Sequence, residues 1–370
     1  MNGDPLDARR LVVKVGSALL VDGAGDVRDG WLEGLAADIA DLRSEGRQVI
    51  VVTSGAIALG RAALGLGRGP LKLEEKQAAA AAGQIRLAGA WRDALGRHGV
   101  PAAQVLVTLD DTEGRRRYLN ARATLETLLR LGAVPVVNEN DTVATAEIRF
   151  GDNDRLSARV AVMASAETLI LLSDVDGLHT ADPRTDPAAR HVPVVAAITP
   201  DILAMATGPV SGVGTGGMVS KLAAARIATR SGTAMLLAKG SADRPLRALR
   251  QGGRSTLFQA TSTPRTARKH WIAASLGVAG TLTVDPGAVR ALQAGSSLLP
   301  IGVAAVEGAF GKGDAVLIHA PDGTPLAKGL VAYDGADARR IARRRTDEIE
   351  AVLGYRGRDE IVHRDDLVLL

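Results

Sequence analysis

Two stretches near the N-terminus, LVVKVGSALL at 11–20 and QVIVVTSGAIALG at 48–60, follow one plan: an apolar run, a turn of small residues, then a helical segment. The runs lack the polar alternation of a half-exposed strand, so each must be covered on both faces, which a mainly parallel sheet flanked by helices provides. Between them, WLEGLAADIADLRSE at 31–45 spaces Leu32, Leu35, Ile39 and Leu42 by threes and fours, and Gly46 ends the helix. The plan recurs. AAQVLVTLDD at 102–111, AVPVVNEND at 133–141 and TLILLSDVDGL at 168–178 read as strands, with NARATLETLLRLG at 120–132 and LSARVAVMASA at 156–166 as helices and GTAMLLAKG at 232–240 as the last strand of the series. The class expected is α/β, an αβα sandwich with a mainly parallel central sheet. Ligands of such sheets bind beyond the carboxyl ends of the strands, where the polar clusters of this chain fall.

From 252 to 270, GGRSTLFQATSTPRTARKH breaks the rhythm with Gly, Ser, Thr, Pro and basic residues. Short strands with close turns follow, then a helix from about Asp337 to Leu353. We therefore expect a large α/β domain over 8–260, a linker over 261–278 and a small β-rich domain over 279–360. A length of 370 residues with 46% apolar content suits two cores, and no apolar run reaches transmembrane length. No charged-then-apolar leader opens the chain, so a cytoplasmic location is expected. The absence of cysteine excludes disulfides, thiolate metal sites and cysteine nucleophiles. A net charge of +4 is small for this length and does not suggest a nucleic-acid footprint.

Some motif matches carry no function. Gly212, Gly214 and Gly217 fit a dinucleotide fingerprint, but no strand leads into them and no acidic residue follows about 20 positions on. HRDDL at 363 imitates a protein-kinase catalytic loop whose asparagine would fall at Leu370. Three features remain. Lys14 stands in an otherwise apolar strand, where an ammonium needs a polar destination or an edge along which to snorkel. Lys221 follows the glycine-rich SGVGTGG at a helix start, where free N–H groups and a cation suit phosphate. NENDTVATAEIRFGDND at 138–154 packs six ionised side chains and three asparagines between core segments. Asn138, Asn140, Asp141, Asp152, Asn153 and Asp154 supply both donors and acceptors, which suits a zwitterionic amino acid, with a magnesium site or a solvated loop as the competing uses.

Taken together, VVKVGSALL, VIVVTSGAIALG, VPVVNENDTVATAEIRFGDNDRLSA, LLSDVDGLHTADPR and VSGVGTGGMVSKL resemble, in order, the motifs of the amino acid kinase family, and within it of the kinases that phosphorylate glutamate. The C-terminal part resembles a PUA domain. The resemblance covers nearly the whole chain. It implies ATP and Mg²⁺ as cofactors and transfer of a phosphoryl group to the side-chain carboxylate of L-glutamate, the first step of proline synthesis, with proline as feedback inhibitor. By resemblance, Lys14 and Lys221 face the phosphoryl group, and Asp154 orients both lysines and the magnesium shell, itself touching the metal only through water. Ser54, Asn138, Asp141, Asp152 and Asn153 would hold glutamate. Ser173, Asp174 and the run Thr215, Gly216, Gly217, Met218, Val219, Ser220, Lys221 would hold the nucleotide, together with Lys14. Ser173 replaces the threonine of many relatives and keeps the hydroxyl.

A carboxylate with a pKa of about 4.3 is ionised at neutral pH and attacks without a general base, so no catalytic histidine is called for. What the site must overcome is the meeting of two anions. The competing substrates within the family are N-acetylglutamate, aspartate and UMP. A homo-oligomer, dimer or tetramer, is expected, and a glutamyl phosphate reductase is a candidate partner. From Ala279 to Leu370, 11 lysines and arginines stand against 13 acidic residues, a net of −2, which disfavours the alternative of an RNA-binding protein.

Overall fold

The computed structural model describes residues 4–67, 69–144, 153–206, 217–275 and 277–370. They form two units, 1–264 and 265–370. The first is built on strands β1 (Arg10–Val15), β2 (Gln48–Thr53), β3 (Ala102–Val107), β4 (Val134–Glu139) and β5 (Thr168–Ser173). A small antiparallel pair follows, β6 (Leu178–His179) and β7 (His191–Val192), then β8 (Val194–Val195), β9 (Ala234–Lys239) and β10 (Ser255–Phe258). Eight of these form one sheet in the order β3-β4-β2-β1-β5-β9-β10-β8. All pairings from β3 to β9 are parallel, so the carboxyl ends of β1, β2, β4 and β5 lie along one edge.

The apolar runs are buried on both faces, as their lack of alternation requires. Leu11, Val13, Val15, Val49, Val51, Ile170 and Leu172 share one core with Leu32, Leu35, Ile39 and Leu42 of helix Asp29–Ser44 and with Leu87 and Trp91 of helix Leu73–Gly96. Val12, Ile50, Val52, Leu169 and Leu171 enter the opposite core, under helices Asn153–Met163 and Met218–Arg230. Each such side chain contributes about 1.5–3 kcal/mol by leaving water. Strand periodicity then decides where Lys14 goes. It shares the face of Val12, two residues back, so it rises on the side covered by those two helices.

The structure departs from the sequence reading in its punctuation. Ser255–Phe258, within the stretch read as a lapse, adds to the sheet antiparallel to β9, so Ala234–Lys239 is not the last strand. Four residues that bury only Thr256 and Phe258 are too short a pattern to stand out. Helix Pro264–Ser275 occupies much of the stretch read as linker. Asn153 and Asp154, read as loop, open the helix that follows, and Asn138 and Glu139 belong to β4.

The second unit carries a five-stranded sheet of β11 (Gly280–Val284), β12 (Val303–Gly308), β13 (Ala315–His319), β14 (Pro325–Val331) and β15 (Val362–Leu369), ordered β12-β11-β13-β14-β15. Its core gathers Leu282, Val284, Val303, Val316, Ile318, Val331 and Ile361. The helix expected over 337–353 is broken into Gly335–Ile341, a turn at Thr346–Glu348 and Ile349–Leu353. Arg343, at φ 64°, interrupts it and donates its N–H to the carbonyl of Pro300, which no helix would allow.

Candidate active site

At the centre of the carboxyl edge lies one carboxylate between two ammonium groups. Lys14 Nζ is 2.6 Å from Asp154 Oδ1, and Lys221 Nζ is 3.2 Å from Asp154 Oδ2. The Ser220 hydroxyl donates to the same Oδ2 at 3.2 Å. Three elements meet here for reasons each element supplies. Strand parity lifts Lys14, the first turn of helix Asn153–Met163 holds Asp154 at its positive end, and the first turn of helix Met218–Arg230 holds Ser220 and Lys221. The two helices lie side by side through small residues, Ala158 and Ala161 of one and Ala224, Ala225 and Ala228 of the other, all buried in one core. Asp154 is 1% exposed. Burial pushes its carboxyl up, but the charges of Lys14 and Lys221 and their hydrogen bonds outweigh it and hold the group below the ordinary aspartate range. Lys14 and Lys221 thus set two ammonium groups against one carboxylate.

Beside it, Asn153 begins a chain of amides. Its Nδ2 donates to the carbonyl of Thr53 at 2.7 Å, to Ser54 Oγ at 2.8 Å and to Asn138 Oδ1 at 3.0 Å. Asn138 Nδ2 donates onward to Gln84 Oε1 at 2.9 Å. The ends of β2 and β4 are thus tied to the helix that carries Asp154. Gly55, at φ 119°, makes the turn from Ser54 into helix Ala56–Ala63.

On the other side of β1, Ser173 ends β5 and donates to Asp174 Oδ1 at 2.9 Å. Gly217 precedes helix Met218–Arg230 in extended backbone, Met218 packs on the core, and Val219 is exposed. Asp141 stands in the turn after β4. The structure thus brings together Lys14, Asp154, Ser220 and Lys221, and next to them Ser54, Asn138 and Asn153. Asp152, Thr215 and Gly216 lie outside the described residues.

Helix Leu73–Gly96 escaped the sequence reading as a source of site residues. Gln77, Gln84 and Trp91 recur at sevens, two helical turns apart, and therefore share a face. Gln77 Nε2 donates to the carbonyl of Ala144 at 3.0 Å, Gln84 receives Asn138, and Trp91 Nε1 donates to Thr53 Oγ1 at 3.2 Å. Polar residues at that spacing on a wall helix are the only signal the sequence offered.

A mainly parallel sheet thus carries at its carboxyl edge two lysines on one aspartate, beside a linked set of amides. The sequence model of the amino acid kinase family matches residues 9–239, and that of the PUA domain matches 280–353. The chain belongs to the amino acid kinase family and is a kinase. It is 62% identical over 363 residues to the Glutamate 5-kinase of Paramagnetospirillum magneticum, covering 98% of each chain. To the Glutamate 5-kinase of Rhodospirillum rubrum it is 62% identical over 359 residues, covering 97% of this chain and 96% of that one. A solved structure of the T. acidophilum isopentenyl phosphate kinase product complex is similar at a TM-score of 0.47 and 16% identity, over 68% of this chain and 100% of that one.

Proposed function

We propose that this protein transfers the γ-phosphoryl group of ATP to the side-chain carboxylate of L-glutamate, giving γ-glutamyl phosphate and ADP. The observation that carries the reading is the adjacency of the Lys14–Asp154–Lys221 centre to the Asn153–Asn138 amide chain, because consecutive residues join the two. Relatives at about 60% identity over nearly the full chain bear the name of that activity.

In this reading Ser54, Asn138, Asp141, Asp152 and Asn153 hold the amino acid. Ser173, Asp174 and residues 215–221 hold the nucleotide. The attacking carboxylate is already ionised, so the site needs no base. It must instead bring two anions together and meet the charge that spreads over the phosphoryl oxygens. Lys14 and Lys221 do so with fixed ammonium groups, and Asp154 keeps both aimed at one point, so little reorganisation accompanies the transfer. Magnesium, carried on the phosphates, would neutralise charge there. Both Asp154 oxygens are engaged by lysines, so a magnesium shell would meet this carboxylate through water.

The same reading places the protein at the start of proline synthesis, in the cytoplasm, as a homo-oligomer inhibited by proline, with a glutamyl phosphate reductase receiving the labile product. Among the described residues, no helix is long and apolar enough to cross a membrane. ADP release in the presence of magnesium should be fastest with L-glutamate and should fall when proline is added. Faster turnover of N-acetylglutamate, aspartate or UMP would overturn the assignment.

A further inference from the structure

The amide chain has a direction, and one backbone group sets it. The carbonyl of Thr53 can only accept, so the Asn153 atom 2.7 Å away is the amide nitrogen. The Asn138 atom 3.0 Å from that nitrogen is then the carbonyl oxygen, which turns the Asn138 nitrogen outward. Gln84 must meet that nitrogen with its own carbonyl oxygen, as it does at 2.9 Å. The polarity therefore runs without ambiguity from β2 through Asn153 and Asn138 to helix Leu73–Gly96.

Two consequences reach the recess. An amide nitrogen carries two hydrogens, and three acceptors already surround that of Asn153, so Asn153 meets a ligand through its carbonyl oxygen alone. Ser54 Oγ accepts from Asn153, which leaves its hydroxyl hydrogen to point elsewhere. An acceptor and a donor side by side complement an ammonium and a carboxylate on one carbon.

We infer that Gln84 is a positioning residue of the amino-acid site: its carbonyl anchors Asn138 where Asn138 Oδ1 braces Asn153, whose orientation the Thr53 carbonyl sets, so that Asn153 is held in place to present an acceptor to the substrate's α-ammonium and Ser54 a donor to its α-carboxylate. The inference rests on the glutamate reading. Gln84 touches no reacting atom; it acts through Asn138. The helix that bears it is held close by two glycines. A Cβ on Gly83 would lie 1.8 Å from the carbonyl of Ala56, and one on Gly60 1.7 Å from that of Ala79, so helices Ala56–Ala63 and Leu73–Gly96 approach backbone to backbone. Trp91, seven residues on, fixes the same face against Thr53.

Gln84→Met keeps the length of the side chain and removes the carbonyl, so Asn138 loses its outer anchor and its brace on Asn153 loosens. The KM for L-glutamate should rise about tenfold, with kcat within about twofold and the KM for ATP unchanged. Gln84→Glu keeps an acceptor in place and should hold the glutamate KM within about threefold of the parent. Glutarate, which lacks the ammonium, separates positioning from scaffolding. The preference for L-glutamate over glutarate in kcat/KM should shrink about tenfold in Gln84→Met, whereas a scaffolding role would weaken both substrates alike. Gln84→Leu carries the same comparison where the methionine variant melts early. An unchanged glutamate KM, an equally impaired Gln84→Glu, or equal losses on glutamate and glutarate would each overturn the inference while the glutamate reading stands. A parent protein inactive on L-glutamate would fell the reading, and the inference with it.

Discussion

Asp38 and Asp154 are both buried aspartates of the first unit, at 2% and 1% exposure, and they are put to opposite uses. Asp38, on helix Asp29–Ser44, accepts from Arg244 Nε at 2.7 Å and from the backbone N–H groups of Leu246 and Arg247 at 2.8 and 3.2 Å. It thereby caps helix Pro245–Arg250 from another element, at a place where Gly34 lets the chains touch: a Cβ there would sit 1.8 Å from the carbonyl of Asp243. One cation and two N–H groups consume its charge. Asp154 instead draws, among the described residues, two lysines and one hydroxyl from two other elements. The first arrangement spends its partners on the end of a neighbouring helix; the second gathers two ammonium groups at one carboxylate. Burial alone does not distinguish them. The kind of donor that meets each does: backbone N–H groups and an arginine at Asp38, two lysines at Asp154.

The sharpest way to break this contrast is at Asp154. Asp154→Ala should lower kcat about 10³-fold, about 4 kcal/mol of lost transition-state stabilisation, with the glutamate KM little changed. A kcat near that of the parent would reduce the carboxylate to a structural counterion. Next come the lysines. Lys221→Ala and Lys14→Ala should each cost about 10²-fold in kcat, yet each leaves Asp154 one ammonium partner, so the melting temperature should stay within about 3 °C. A large fall in thermal stability would show that the lysines serve the fold rather than the site.

Asp38→Ala should do the reverse. Loss of the acceptor for Arg244 and for two N–H groups should destabilise the fold by about 2 kcal/mol in urea titrations, with kcat per folded molecule unchanged. A kinetic defect without a stability defect would place Asp38 in the site. The smallest effect concerns acid. The Asp154 carboxyl is depressed in the folded state, so its contribution is complete above its ordinary value of 3.8 and is lost as pH falls through the lower folded value. Urea midpoints between about pH 5 and pH 2 should therefore fall less steeply in Asp154→Asn than in the parent. Identical acid limbs would mean that the group titrates alike folded and unfolded.

The parallel sheet was legible because continuous apolar runs such as LVVKV and TLILL have no other stable use, and Leu32, Leu35, Ile39 and Leu42 all reach the core their spacing predicts. The candidate site was legible where residue type and motif coincide. Lys14 and Lys221, named separately, meet at Asp154. What stayed hidden was short or remote. Ser255–Phe258 is too brief to show a period, and Arg343 leaves the helix through a contact with Pro300 that no local pattern encodes.

Periodicity and composition by themselves determined the succession of the long strands of the first unit, the face that helix Asp29–Ser44 buries and the edge at which polar residues collect. Only the tertiary structure decided that Asp38 answers Arg244 across 206 residues of chain, that Gln84 answers Asn138 across 54, and that the acidic stretch ends inside a helix rather than before it. The physical reason is one of range. A periodic pattern reports which face of an element leaves water. A hydrogen bond of 2.9 Å depends on how closely two elements approach, and that distance is set by their packing as a whole.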